Sequence, residues 1–325
     1  MTRKQSGVAL ITALLVVAIA ALAATALLSS SQLSIHRTTA LRDTEQGWWL
    51  ARGVEAWVVE ILKNDDAKYD GLDEDWAQPV DYLPVDQGFV RGRLVDQQGL
   101  FNLNNLKRSA SPGDDVYGKQ FIHLLENLQD VTAPTQDLVP AIRDWIDEGQ
   151  DANFPGAEDS VYLNLSPPYR TADQPFSAVS ELLAIQGMTA ELYNALMSQC
   201  PLVKDGPPGR CITVLPSSNT AVNVNTAPER VLRSLSRQVD DAKLQSFLSE
   251  REEKPDKRMA EFEGRKIYNP PLVTASLAIQ SNFFSLQGEV FVGSSRVALY
   301  SLIQRSQQAG TPVTLTVFAH STGDD

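Results

Sequence analysis

The first part of the chain is a continuous apolar run from residue 8 to residue 28, and no charged residue interrupts it. A helix of about 20 residues is long enough to cross the hydrocarbon core of a bilayer, which is about 30 Å thick. Arg3 and Lys4 precede the run, and the next basic residue is Arg37. The positive-inside rule therefore places the N-terminus in the cytoplasm and the rest of the chain across the membrane.

Two alternatives to a permanent membrane helix remain at this point. The segment Ala24–Ala26 has the small residues of a secretory cleavage site, although the run is longer than the apolar core of about 7–15 residues in signal peptides. An ordinary signal anchor also fits the hydropathy. Against both, the chain stays helical in pattern beyond the run, because residues 29–62 contain no proline and no glycine pair.

The polar segment after the apolar run keeps a helical spacing of apolar residues. This stripe comprises Leu50, Val54, Trp57 and Ile61, extended by Leu41 and Trp48. The pattern predicts one helix over residues 8–62, about 80 Å long, with one half in lipid and the other amphipathic.

Near both ends of the remaining chain, the spacing of apolar residues changes from the helical period to the alternation that is typical of strands. An acidic stretch at residues 64–87, broken by two prolines, reads as a loop. Strands are predicted at residues 89–96, 283–292, 296–304 and 313–320. We expect an antiparallel sheet packed on the amphipathic half of the helix, in an α+β fold with a pilin-like head.

The middle of the chain is helical and has short loops. Helices are predicted at residues 121–128, 138–146, 178–185, 191–197 and 230–235. We interpret residues 107–275 as an all-α domain with two lobes, inserted between the head segments 63–106 and 276–325. Two similar motifs, GLFNLNN at residues 99–105 and TAVNVNT at residues 220–226, read as helix entries, the second with a capping box of Thr226 and Glu229.

Charge and motif content limit the function. The net charge is −12, and such a body repels nucleic-acid phosphates. Residues 180–192 resemble helix-hairpin-helix and SAM-like lobes, but the hairpin IQGMTAE carries no basic residue. A membrane-anchored DNA-binding protein of the uptake type is therefore the weaker alternative. The three histidines, His36, His123 and His320, fit no catalytic motif, so we predict a protein that is not an enzyme.

The leader ending in Gly7, followed by an apolar helix from Val8, resembles the prepilin cleavage signal of type IV pilins and pseudopilins. The resemblance implies that a prepilin peptidase cuts after Gly7 and methylates Val8. That family usually has glutamate at mature position five, where it is thought to neutralise the amine of a neighbouring subunit. This chain has Thr12 there. A subunit at the filament tip has no neighbour above it and loses little without the carboxylate.

Three further motifs, DWIDE…GAEDSVY at 144–162, PPYR at 167–170 and VNVNTA at 222–227, resemble the K family of minor pseudopilins in type II secretion. The resemblance covers nearly the whole chain. It implies a single-pass inner-membrane protein with a periplasmic body that initiates or caps a pseudopilus. The implied partners are minor pseudopilins I and J, then H, the major pseudopilin G, the prepilin peptidase, the inner-membrane assembly platform and secreted exoproteins.

The acidic segment 144–159 is the candidate for metal chemistry, because hard oxygen ligands on a loop suit Ca²⁺. Its spacing is not that of an EF-hand. The resemblance implies calcium in this domain, with Asp147, Asp151, Glu158 and Asp159 as ligands. Gly149 stands where relatives often have an acid. A solvated acidic loop without metal is the alternative.

The two cysteines of the chain, Cys200 and Cys211, flank the Gly/Pro-rich loop KDGPPGR. Their spacing fits a disulfide and two unpaired buried thiols about equally. The predicted membrane segment, which places the body in an oxidising compartment, favours the disulfide.

Overall fold

The structure is a computed structural model that describes residues 6–107, 115–131, 135–204, 206–272, 274–306 and 313–321. Most of the predicted leader, residues 1–5, lies outside the described residues. The helices are α1 (Ser6–Asn64), α2 (Val116–Glu126), α3 (Thr135–Ile146), α4 (Asp159–Tyr162), α5 (Ala190–Ser198), α6 (Glu229–Ser234), α7 (Asp241–Glu250) and α8 (Met259–Gly264). The strands are β1 (Val80–Val85), β2 (Gly88–Asp96), β3 (Phe101–Asn102), β4 (Ile212–Thr213), β5 (Val222–Asn223), β6 (Leu277–Ala278), β7 (Phe283–Val292), β8 (Ser295–Ser306) and β9 (Thr314–Ser321).

Helix α1 is continuous from the apolar run into the polar segment, as the missing helix breakers predict. Its apolar half has the length and composition of a membrane span, and no part of that half is buried against the rest of the chain. Thr12 does not leave a polar group unsatisfied there, because its hydroxyl donates to the carbonyl oxygens of Val8 (3.1 Å) and Ala9 (3.0 Å).

The second half of α1 packs on an antiparallel five-stranded sheet with the order β1-β2-β7-β8-β9. The predicted strands are present within two residues of their expected ends. Strand β1 was not predicted. It pairs with β2 through a tight turn in which Gln87 has a φ of +64°.

The predicted apolar stripe of α1 meets the head only in part. Its half-buried members pack against the head core, whereas Leu41 and Trp57 are exposed, the latter over 46% of its surface; the half-buried members are Trp48, Leu50, Val54 and Ile61. The buried face instead consists of Asp43, Gly47, Ala51, Glu55, Val58 and Leu62. Gly47 permits the close approach, because a Cβ there would lie 2.7 Å from Val297 Cγ2. Glu55 is compensated by Ser301, whose hydroxyl donates to it at 2.6 Å.

The inserted segment forms a second and larger hydrophobic core around α2 to α8. Two expectations for it need correction. Residues Val179–Ala184 form a 3₁₀ helix rather than an α-helix. The insert is also not purely helical, because it contributes β4 and β5, which pair in parallel with β3 and β6 respectively.

The two Asn-rich motifs build the junction between the head and the insert. Asn223 Nδ2 donates to the Asp70 carbonyl (3.1 Å), to Asp96 Oδ2 (2.8 Å) and to Ser281 Oγ (3.1 Å). Thr226 Oγ1 donates to the same Asp96 oxygen at 2.6 Å. The predicted capping box is therefore wrong, since the Thr226 hydroxyl binds the end of β2 instead of the first turn of α6.

The first motif is held in the same manner. Asn104 Nδ2 donates to the carbonyls of Phe176 (3.1 Å) and Leu215 (2.8 Å), and Asn102 Nδ2 donates to Ser217 (2.7 Å). These bonds connect chain segments that are far apart in sequence. Both motifs are thus structural, as the sequence indicates.

Candidate metal site

Glu158 is the central residue of the acidic segment. Its side chain is only 1% exposed, and neither carboxylate oxygen has a hydrogen-bond partner among the described residues. Burial, together with the nearby carboxylates of Asp144 and Asp147, raises the pKa of Glu158 to about 7. An unpaired buried carboxylate is costly, so this position fits a bound cation.

The charged neighbours of Glu158 come from the end of α3, from the first residue of α4 and from the segment after α4. Besides Asp144 and Asp147, they include Asp159 and Asp173. Asp144 is fully buried and accepts from Asn153, with an Nδ2–Oδ1 distance of 2.6 Å.

A glycine makes room for the Asp144 carboxylate. A Cβ at Gly156 would lie 2.0 Å from Asp144 Oδ2, so any side chain at this position would clash with the carboxylate. The loop is therefore built closely around the group of acids.

The four predicted ligands have different outcomes. Glu158 and Asp147 lie in the group, and Asp147 Oδ1 also accepts from the Gly149 N–H at 2.9 Å. Asp159 is committed elsewhere, because Arg170 (2.6 Å) and Thr171 (3.0 Å) occupy both of its oxygens. Asp151 is exposed, and the principal charged neighbours of Glu158 do not include it.

Sequence reasoning did not select Asp173 as a ligand. It lies beyond the PPYR motif, and its carboxylate accepts from the Thr171 hydroxyl at 2.7 Å. The backbone of Asp173 has a φ of +51°, an unusual conformation that cannot be recognised from the sequence.

Carboxylate oxygens alone make up this donor set, which is the chemistry that Ca²⁺ prefers. Glu158, Asp144, Asp147 and Asp173 would hold the ion, and the ion would supply positive charge to a buried acidic group. The orphaned oxygens of Glu158 are the observation that fits this role. Asp65, Asp70 and Glu74, in the head, form a separate group of carboxylates.

The two cysteines lie at the edge of the insert core. Cys200 and Cys211 form a disulfide with a Cα–Cα distance of 5.0 Å, and both are buried. The Cys200 N–H also donates to the Gly209 carbonyl at 2.8 Å, so the Gly/Pro-rich loop closes on itself beside the bridge.

The histidines lie on three different elements. His36 is exposed on α1, His320 is on β9, and His123 is on α2 with its Nδ1 3.1 Å from the Ser234 carbonyl oxygen. Burial lowers the pKa of His123. The structure thus does not bring the three imidazoles together.

Comparison with known proteins decides the family. A family model described as "Type II secretion system (T2SS), protein K" matches residues 99–201, which include the candidate metal site. Type II secretion system protein K of Aeromonas hydrophila is 32% identical over 324 residues, covering 94% of this chain and 94% of the relative. The chain belongs to the type II secretion system protein K family.

Further protein K relatives agree. The Pseudomonas aeruginosa protein is 32% identical over 326 residues, covering 94% of this chain and 91% of the relative. The crystal structure of the GspK-GspI-GspJ complex from enterotoxigenic Escherichia coli matches with a TM-score of 0.72 and 26% identity, over 89% of this chain and 100% of that chain. The predicted protein K membership and α+β class are confirmed, and nothing in these comparisons supports the DNA-binding alternative.

Proposed function

We propose that this chain is the minor pseudopilin at the tip of a type II secretion pseudopilus, where it initiates assembly needed for secretion across the outer membrane. The observation that carries the proposal is the continuous α1, which is apolar and uncovered in one half and packed on the sheet in the other. A helix of this kind can leave the bilayer and form a bundle with the corresponding helices of other subunits. Family membership supports the same role.

Two features support a position at the tip. Thr12 replaces the carboxylate that pairs with a neighbour, and its hydroxyl bonds to its own helix. The insert adds a second core beside the head, and such bulk fits where no subunit lies above. The relative in the solved structure forms a complex with GspI and GspJ. We infer that this chain joins minor pseudopilins I and J first, and then H and the major pseudopilin G.

We infer a structural role rather than a catalytic one, with the N-terminus cytoplasmic and the body periplasmic in the inner membrane. Assembly would require the prepilin peptidase and the inner-membrane platform, and secreted exoproteins would meet the tip. Calcium at Glu158 would stabilise the insert. Millimolar calcium outside the cytoplasm is enough for weak sites of this kind.

N-terminal sequencing and intact-mass measurement of the protein from membranes test the processing. We expect a methylated Val8 as the first residue. A start near Leu27 would show ordinary signal cleavage and would remove the filament proposal. As a control, a Gly7→Val variant should retain the leader, whereas an Ala26→Val variant should be processed like the parent.

A further inference from the structure

A second group of carboxylates lies in the head, where α1 ends and the acidic segment 64–87 begins. Asp65, Asp70 and Glu74 each offer one oxygen, and these oxygens lie within 4.8 Å of one another. Asp70 is fully buried, and Glu74 is 9% exposed. The group belongs to the head and is distinct from the Glu158 site in the insert.

One side of this group is held by a buried arginine of β8. Arg305 Nη1 donates to Asp65 Oδ2 at 3.1 Å, and Nη2 donates to Asp70 Oδ2. The Ser281 N–H donates to the same Asp70 oxygen at 2.6 Å. Asp70 Oδ1, by contrast, is buried and has no hydrogen-bond partner in the described part of the chain.

Glu74 is oriented in a similar manner. The Gly71 N–H and the Trp76 Nε1–H both donate to Glu74 Oε2 at 2.9 Å. The protein donors therefore bind Oδ2 of Asp70, Oδ2 of Asp65 and Oε2 of Glu74. The remaining oxygen of each carboxylate is the candidate ligand.

The charges of this group do not balance. Arg305 pairs with Asp65 and Asp70 but not with Glu74, and the carboxyl groups of Asp65 and Glu74 are in hydrogen-bond contact. Two carboxylates at that distance need a proton or a cation between them.

We propose that Asp65, Asp70 and Glu74 form a second calcium site, with Asp70 Oδ1 as its buried ligand. All three candidate ligands are carboxylates, and two of them, Asp65 and Glu74, line an open groove of about 880 Å³ through which an ion and its waters can reach the buried Asp70. The bound ion connects the end of α1 to β8, because Asp65 and Asp70 also bind Arg305. With three protein carboxylates, we expect a dissociation constant of about 0.1–1 mM.

Terbium luminescence excited through tryptophan tests this site directly, because Trp76 donates to Glu74 and lies beside the expected ion. The measurement uses the full-length protein in detergent with a Glu158→Gln substitution, which silences the insert site. We expect saturable luminescence that Ca²⁺ displaces. Glu74→Gln, which keeps the shape and an oxygen acceptor, should weaken terbium binding at least about tenfold.

The matched control is Asp75→Asn, which removes an exposed carboxylate from the adjacent position. It should titrate like the parent. Asp65→Asn provides a second variant, and circular dichroism checks that each protein is folded. If Glu74→Gln and Asp65→Asn bind terbium as tightly as the parent, or if Ca²⁺ does not displace the signal, the carboxylates share a proton and the calcium proposal is wrong.

Discussion

Asn223 connects the head to the insert, and its replacement by alanine should destabilise the whole periplasmic body. Its Nδ2 has two hydrogens for its three acceptors, and its Oδ1 accepts from the Asn225 N–H at 3.1 Å. A hydrogen bond to the Asp96 carboxylate contributes about 2 kcal/mol, and each neutral one about 1 kcal/mol. The expected loss in the free energy of unfolding is therefore about 4 kcal/mol.

Asn225→Ala is the matched control because Asn225 has the same side chain and is equally buried. Its amide exchanges two bonds with the Asp256 backbone, at 2.9 and 3.1 Å, within the insert. Its expected cost is about 2 kcal/mol. Urea unfolding followed by tryptophan fluorescence compares the two variants, since Trp76 reports on the head and Trp145 on the insert. Equal losses for both variants would refute the interpretation of Asn223 as the connecting residue.

Three further predictions concern the metal site, the disulfide and α1. The pKa of Glu158 is about 7 in the folded protein, against 4.5 normally, so ionisation of this carboxyl group opposes folding. In urea unfolding with EGTA, the free energy of unfolding should therefore fall as the pH rises from about 5 to 8. The Glu158→Gln variant should show a smaller fall. Cys200→Ser with Cys211→Ser should cost about 3 kcal/mol, the value for a closed loop of this length, and reductant should then have no further effect on the melting temperature. Leu62→Ala, at a fully buried position, should cost about 2–5 kcal/mol, whereas Trp49→Ala, at a position 74% exposed, should change stability by less than about 0.5 kcal/mol in the same assay.

The sequence predicted the elements that have a strong local signal. The long helix and four strands of the sheet follow from periodicity and from the absence of breakers. Strand β1 was missed because its sequence, with Pro84 and neighbouring acids, reads as a loop; its conformation depends on pairing with β2. The 3₁₀ helix at Val179–Ala184 was also misassigned, since its composition is that of an α-helix.

The candidate sites were only partly predictable, because their residues come from distant segments. Glu158 and Asp147 were selected from one acidic run, but Asp173 joins them only after the chain folds back. Arg305 is even further from Asp65 in sequence, and the two are paired across the end of the sheet. No spacing rule within a single segment indicates such a contact.

The offset between the predicted stripe and the fully buried face of α1 has a physical cause that bears on function. A stripe of apolar residues usually marks the buried face of a helix, but here the sheet approaches along Gly47 and Ala51 and satisfies Glu55 by a hydrogen bond. The apolar stripe consequently packs along the margin of the head core, and its members Leu41 and Trp57 are left exposed. A helix that served only its own domain would gain stability by burying these two side chains. We therefore expect Leu41 and Trp57 to face the helices of neighbouring subunits, so that the periodicity in the sequence records assembly as well as folding.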